Sequence, residues 1–134
     1  MSRRVELAQA RGRLVYLDFW ASWCAPCKRS FPWMNELQRR YAAQGLQIIA
    51  VNVDAHAEDA YRFLRAMPAQ FTVAFDERGD TPRDYRIQGM PTSMLISPQG
   101  RVLYVQRGFH VEDEASMENR IRTALAQGAG ASPP

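Results

Sequence analysis

Cysteine is scarce in this chain: the 134 residues hold two, Cys24 and Cys27. That excludes a disulfide-dense secreted scaffold, which staples a small fold with several bridges. A structural zinc site takes four ligands, and with no second cysteine pair and no His-x3-5-His motif only His56 and His110 could complete one. No resident metal or dissociable cofactor is therefore expected. Lysine is rarer still, with Lys28 alone. No run approaches the roughly 20 apolar residues that cross a bilayer, and the opening Met-Ser-Arg-Arg-Val-Glu is not followed by a hydrophobic signal core. The expectation is a soluble chain, either cytosolic or one whose targeting segment or anchor has been removed. A single-sign charge stripe is also missing. The formal charge is +3, but the arginines alternate with acids along the chain, the pattern of a solvated surface rather than a nucleic-acid interface. There is no internal repeat, and the low-complexity Ala-Gln-Gly-Ala-Gly-Ala-Ser-Pro-Pro end reads as a disordered tail over 127–134.

What is present suits one domain over 1–126, since 46% hydrophobic, 10% aromatic and 23% charged residues describe an ordinary globular core. Leu14-Val-Tyr-Leu-Asp-Phe19 is a nearly continuous apolar run, as in a strand buried on both faces. Phe31, Met34, Leu37 and Tyr41 then recur at three- and four-residue steps, which predicts a helix ending near Gly45. Leu46–Val53 is a second buried strand, 58–67 a helix with Tyr61, Phe63, Leu64 and Met67 as apolar candidates, and Phe71–Phe75 a third strand. That alternation implies parallel pairing through crossovers. A helical turn is expected at Thr81–Tyr85. Thr92–Ser97, the Pro98-Gln-Gly100 turn and Arg101–Gln106 predict a hairpin, and 112–126 a final helix burying Met117, Ile121, Ala124 and Leu125.

The cysteine pair sits where the first strand meets the first helix. Cys-x-x-Cys at a helix start can span the roughly 4.4–6.8 Å between Cα atoms that a disulfide needs. As a staple it closes nearly the shortest possible loop, and stabilisation grows with loop length. Redox chemistry is the stronger reading. Free backbone N–H groups at a helix N-terminus favour a thiolate and lower its pKa from roughly 8.5. Cys24 would attack a substrate disulfide to form a mixed disulfide, and Cys27, less exposed, would resolve it; run backwards, the same steps oxidise a dithiol. Asp18 interrupts an apolar strand, where an unpaired carboxylate is costly to bury. A buried acid of raised pKa beneath the pair could exchange the Cys27 proton; the bland account is a solvated or paired Asp on a strand edge. His56 and His110 read as solvated or capping loop residues, and Lys28 and Arg29 as a solvated basic first turn, the alternative being that they help stabilise a nearby thiolate.

With Asp-Phe-Trp-Ala at 18–21, Trp23-Cys-Ala-Pro-Cys-Lys28, Pro32 and Gly89-Met-Pro-Thr92 in place, the chain resembles the thioredoxin superfamily over roughly 5–126. The resemblance implies an α/β thioredoxin fold, a central mixed β-sheet flanked by helices. It implies that Pro91 is a cis-proline beside the active site, that the Met90 backbone pairs with an extended substrate segment, and that Trp23 shapes the surface by Cys24. Packing alone would also explain Trp23, and Pro32 would bend the first helix. From Asp54 to Pro91 the chain runs 37 positions, room for a helix-strand insertion before the cis-Pro loop, which resembles the TlpA/ResA-like branch; "VQRGF" after Leu103 is similar to that branch too.

Members of that branch are mostly exported, often membrane-anchored, thiol-disulfide reductases serving cytochrome c biogenesis, oxidase assembly and related electron transport. The implied partners are protein disulfide substrates and a dithiol electron donor protein, membrane-embedded in many members. The implied setting is periplasmic or extracytoplasmic, with a monomer expected and no nucleic-acid partner. Thr92 stands where dedicated cytochrome c maturation members tend to carry Glu, so haem-pathway specificity does not carry over. Asp18 stands where the branch commonly has Asn, and the branch's N-terminal hairpin is expected to be reduced to Val5–Leu7 or cut away. Ser22-Trp-Cys24 lacks a peroxiredoxin's Thr-x-x-Cys. The expected activity is reduction of protein disulfides through Cys24 and Cys27. The rivals are a cytosolic thioredoxin-like reductase, a dithiol oxidase, and a non-enzymatic module using the pair as a soft Cu(I) or partner site.

Overall fold

Every residue of β1, Leu14–Trp20, is buried, which the run of large apolar side chains predicts for a strand covered on both faces. A computed structural model of the chain describes residues 12–76 and 89–127. Over these, β1 is followed by α1 (Ala25–Tyr41), a 3-10 turn (Ala42–Gln44), β2 (Leu46–Asn52), α2 (Ala57–Ala66) and β3 (Thr72–Phe75). After the undescribed stretch come β4 (Thr92–Ile96), β5 (Val102–Arg107) and α3 (Val111–Ala126). The sheet order is β3-β2-β1-β4-β5. β1 and β2 pair in parallel, as do β2 and β3, whereas β4 runs antiparallel to both β1 and β5. The sheet is therefore mixed, and β1 is its middle strand.

Alternation along β1 divides the core. Leu14, Tyr16 and Trp20 join a cluster with Phe31, Met34 and Leu37 of α1, Ala60 of α2, and Met117, Ile121 and Ala124 of α3. Val15, Leu17 and Phe19 point the other way, against Ile49, Val51, Ala74, Met94 and Ile96. The first cluster is aromatic at its centre. The Phe31 ring meets Trp20 at 4.8 Å, Phe63 at 4.9 Å and Phe71 at 5.2 Å between centroids, within the range where tilted and edge-on pairs are favourable.

Helix ends follow local chemistry. α1 runs into the 3-10 turn and stops at Gly45, whose φ of 109° is a left-handed conformation that costs other residues a Cβ clash. The β4–β5 turn likewise uses Gly100 at φ 89°. Pro32 lies within α1. Both histidines fall at N-cap positions, His56 before α2 and His110 before α3, where the His110 N–H donates to Asp113 Oδ2 at 3.0 Å.

Two sequence expectations change in detail. Of the α2 candidates, Phe63, Leu64 and Met67 are only partly buried and Tyr61 is exposed, the fully buried residue being Ala60. A small side chain, Ala60, makes the closest approach of α2 to the core. Leu125 of α3 is half-buried while Met117, Ile121 and Ala124 are buried as expected. The turn expected at 81–85, the Val5–Leu7 segment and positions 128–134 of the tail lie outside the described residues.

Candidate redox site

The site is built where the C-terminal ends of two parallel strands meet the start of α1. β1 ends at Trp20, and the Trp20 carbonyl accepts from the Val53 N–H just beyond β2, extending the pairing by one bond. Ala21–Trp23 then turns the chain into α1. That turn is clamped by a buried acid: Asp54, 1% exposed, accepts from the Ser22 N–H and the Ser22 hydroxyl, each at 2.9 Å. Asn52 steadies the acid by donating from its amide to Asp54 Oδ2 at 2.7 Å and accepting from the Asp54 N–H at 3.0 Å. The turn two residues before Cys24 is thus held by side chains from a neighbouring strand end. Sequence reasoning missed Ser22, Asn52 and Asp54. The signal was Asn52-Val-Asp54 at the end of a parallel strand, the edge of the sheet where α/β folds place their sites.

Cys24 is the N-cap of α1, and its Sγ accepts from the Cys27 N–H at 3.3 Å. Pro26 falls in the first turn, where a missing N–H costs nothing. The two cysteines are disulfide-bonded, with Cα atoms 5.3 Å apart. The sequence reading placed Cys24 at an exposed helix start; in the disulfide it is 4% exposed and Cys27 is fully buried. Both residues belong to the first core cluster. Trp23 supplies the exposed surface instead, at 70%.

Asp18 lies on the central strand, opposite Ala50 of β2 and Ser93 of β4, which removes the strand-edge explanation. By alternation it faces the α1 side with Tyr16 and Trp20, toward the cluster that contains both cysteines. It is 1% exposed, and its Oδ2 has no hydrogen-bond partner. Burial therefore pushes its carboxyl well above the usual carboxylate range. On the same face the Tyr16 phenol is pushed up, first by burial and then by the Asp18 charge, with a Ser93 hydrogen bond opposing.

The loop before β4 completes the site. The Met90–Pro91 peptide bond is cis, and Met90, half-buried, packs against the cluster that holds the cysteines. The Pro91 carbonyl accepts from Gly108 at 2.8 Å, and the Thr92 hydroxyl donates to the Gly89 carbonyl at 2.7 Å. Thr92 is thereby committed to closing its own loop. Cys24, Cys27 and Met90 thus meet in one core cluster toward which Asp18 faces by strand alternation, and the exposed Trp23 precedes Cys24 in the chain. Among the described residues no group of three or more His, Cys, Asp or Glu side chains is placed to hold a metal ion.

Comparison with known proteins decides the kinship. The redoxin family model matches residues 2–121. The chain belongs to the redoxin family. Within it, this redoxin sits in the ResA/TlpA-like branch of the thioredoxin superfamily. It is 34% identical over 110 residues to the thiol-disulfide oxidoreductase ResA of Bacillus subtilis, a match covering 82% of this chain and 62% of that protein. The chain thus spans a little under two thirds of the length of that relative. A crystallised Chlorobium tepidum protein with the provisional name thiol:disulfide interchange protein DsbE is 54% identical, with a TM-score of 0.89 over 90% of this redoxin and 86% of that chain. StoA of Bacillus subtilis, 23% identical with a TM-score of 0.71 over 81% of this chain and 84% of its own, shares the fold.

Proposed function

We propose that this redoxin is a protein thiol-disulfide reductase working through Cys24 and Cys27. The observation that carries the reading is the disulfide at the N-cap of α1, with the Cys27 amide aimed at Cys24 Sγ beside the cis-Pro91 loop. In the reduced protein, negative charge on Cys24 Sγ is stabilised by that amide and by the N-terminal end of the α1 dipole. The Cys24 thiolate attacks one sulfur of a substrate disulfide; the new bond joins Cys24 to substrate, and the other substrate sulfur leaves as a thiolate. Asp18, protonated at rest by its burial, first releases its proton to solvent; Cys27 then gives its proton to the resulting carboxylate and attacks Cys24 Sγ. The internal disulfide forms and the second substrate sulfur leaves, so two electrons have passed to the substrate.

Trp23 and Met90 frame the docking surface, with the backbone before Pro91 offering an added-strand contact to an extended substrate. A dithiol donor protein, membrane-embedded in our reading, returns the electrons. The setting is extracytoplasmic, on the strength of the ResA-like branch, and the working unit is a monomeric single domain over 1–126. No helix among the described residues is long and apolar enough to cross a membrane. Because Thr92 is engaged with Gly89, a haem-pathway specialisation forms no part of the reading.

The test is trapping. Cys27→Ser should accumulate mixed disulfides on Cys24 that dithiothreitol releases, and wild-type reduced protein should reduce insulin disulfides while Cys24→Ser does not. Equal activity of wild type and Cys24→Ser would refute the reading.

A further inference from the structure

Beside the redox turn lies a cavity of about 460 Å³ lined by Ser22, Lys28, Asp59, Arg62, Phe63, Ala66 and Met67. It lies between the first turn of α1 and α2, next to the redox turn along the chain. Ser22 and Lys28 flank Cys24 and Cys27 in the chain, and Ser22 is held rigid by both its bonds to Asp54. The opposite wall is apolar: Phe63, Ala66 and Met67 lie near the C-terminal end of α2, and Phe63 and Met67 are half-buried against the core.

Its charge is unbalanced, with two cations against one acid among the lining residues. Arg62 reaches Asp59 only at 3.4 Å, through side chains that are 70% and 45% exposed, a pair that another carboxylate can displace at little cost. Lys28, exposed at the mouth, makes no ion pair among the described residues. An apolar wall under a cationic rim matches an apolar side chain carried next to a carboxylate.

Resting on the reductase reading, we propose that this cavity is a specificity subsite for the polypeptide flanking the substrate's disulfide, selecting an apolar residue beside an acidic one. Once Cys24 has joined the substrate cysteine, neighbouring substrate residues lie within one or two residue lengths of Ser22 and Lys28. The apolar side chain occupies the wall of Phe63, Ala66 and Met67, and the carboxylate sits between Lys28 and Arg62. Selection acts before electron transfer, on encounter and docking, so it appears in kcat/KM and weakens with salt.

The experiment uses the prereduced full chain and two disulfide-linked peptides that differ only in having Glu or Gln on either side of a Leu-flanked cysteine. Second-order rate constants are read by stopped flow. The Glu peptide should react about fivefold faster than the Gln peptide at low ionic strength, and the advantage should shrink in 0.5 M salt (roughly a 4 Å screening length). Arg62→Glu should abolish or invert the ratio, Ala66→Trp, which fills the cavity from an exposed position, should reduce it, and Arg122→Glu on the exposed face of α3 should keep it. A wild-type ratio of one would overturn the subsite while leaving the reductase reading intact. An equal loss in Arg122→Glu would replace it with unspecific charge steering. Failure to react with either peptide would defeat the reductase reading as well.

Discussion

At the residue scale Asp18 is the position where the proposed proton transfer and stability pull in opposite directions. Its carboxyl is raised by burial, so between about pH 4 and that raised value the folded protein holds a proton that the unfolded chain has released. Stability therefore falls as pH rises through that window. Asp18→Asn removes the titration. In urea unfolding the variant should be more stable than wild type at pH 7, with an advantage growing by up to about 1.4 kcal/mol per pH unit and vanishing near pH 4. An advantage that is flat with pH would show that folding does not raise the Asp18 carboxyl. The same change should slow the attack of Cys27 on the mixed disulfide by about tenfold or more at pH 7, measured by rapid quench. Asp54 acts through position instead. Asp54→Ala strips two hydrogen bonds from Ser22 and one from Asn52, with an expected cost of about 2–4 kcal/mol in chemical unfolding.

At the element scale, α1 carries both Cys24 at its N-cap and the aromatic wedge of Phe31. Phe31, fully buried, touches Trp20 of β1, Phe63 of α2 and Phe71 before β3. It ties the cysteine-bearing helix to the inserted helix-strand unit. Phe31→Ala should cost about 3–5 kcal/mol, read as a shift of the urea midpoint at unchanged slope. Phe31→Leu should recover most of the loss; if it recovered none, ring stacking rather than volume would hold the helix. α2 behaves differently, with one fully buried residue, Ala60. A helix attached so lightly is suited to present a recognition wall rather than to support the core.

Across the whole molecule the disulfide adds little as a brace, as the proposed redox role requires. Chain-entropy arguments give so short a loop at most about 2 kcal/mol of stabilisation, whereas the core continues through both faces of the five-stranded sheet. Dithiothreitol should therefore lower the unfolding free energy by no more than about 2 kcal/mol and leave the far-ultraviolet dichroism unchanged. A reduced protein that unfolds would assign the pair a structural role. Strand and helix periods, the Cys-x-x-Cys spacing and the interrupted strand at Asp18 were legible in the sequence, because each depends on residues near one another in the chain. The α2 burial pattern was not, because which residue of a lightly packed helix makes the closest approach depends on the sheet beneath it. The burial of Cys24, the clamp of Ser22 by Asp54 and Asn52, and the cavity between α1 and α2 were equally hidden. Residues 22 and 54 become neighbours only when β1 and β2 align in parallel with Trp20 opposite Asn52. By itself the sequence determined the sheet-and-helix alternation and the reactive pair. Only the tertiary structure decided what holds that pair in place and what lies beside it, because those contacts join strand ends and helices brought together by packing rather than by proximity along the chain.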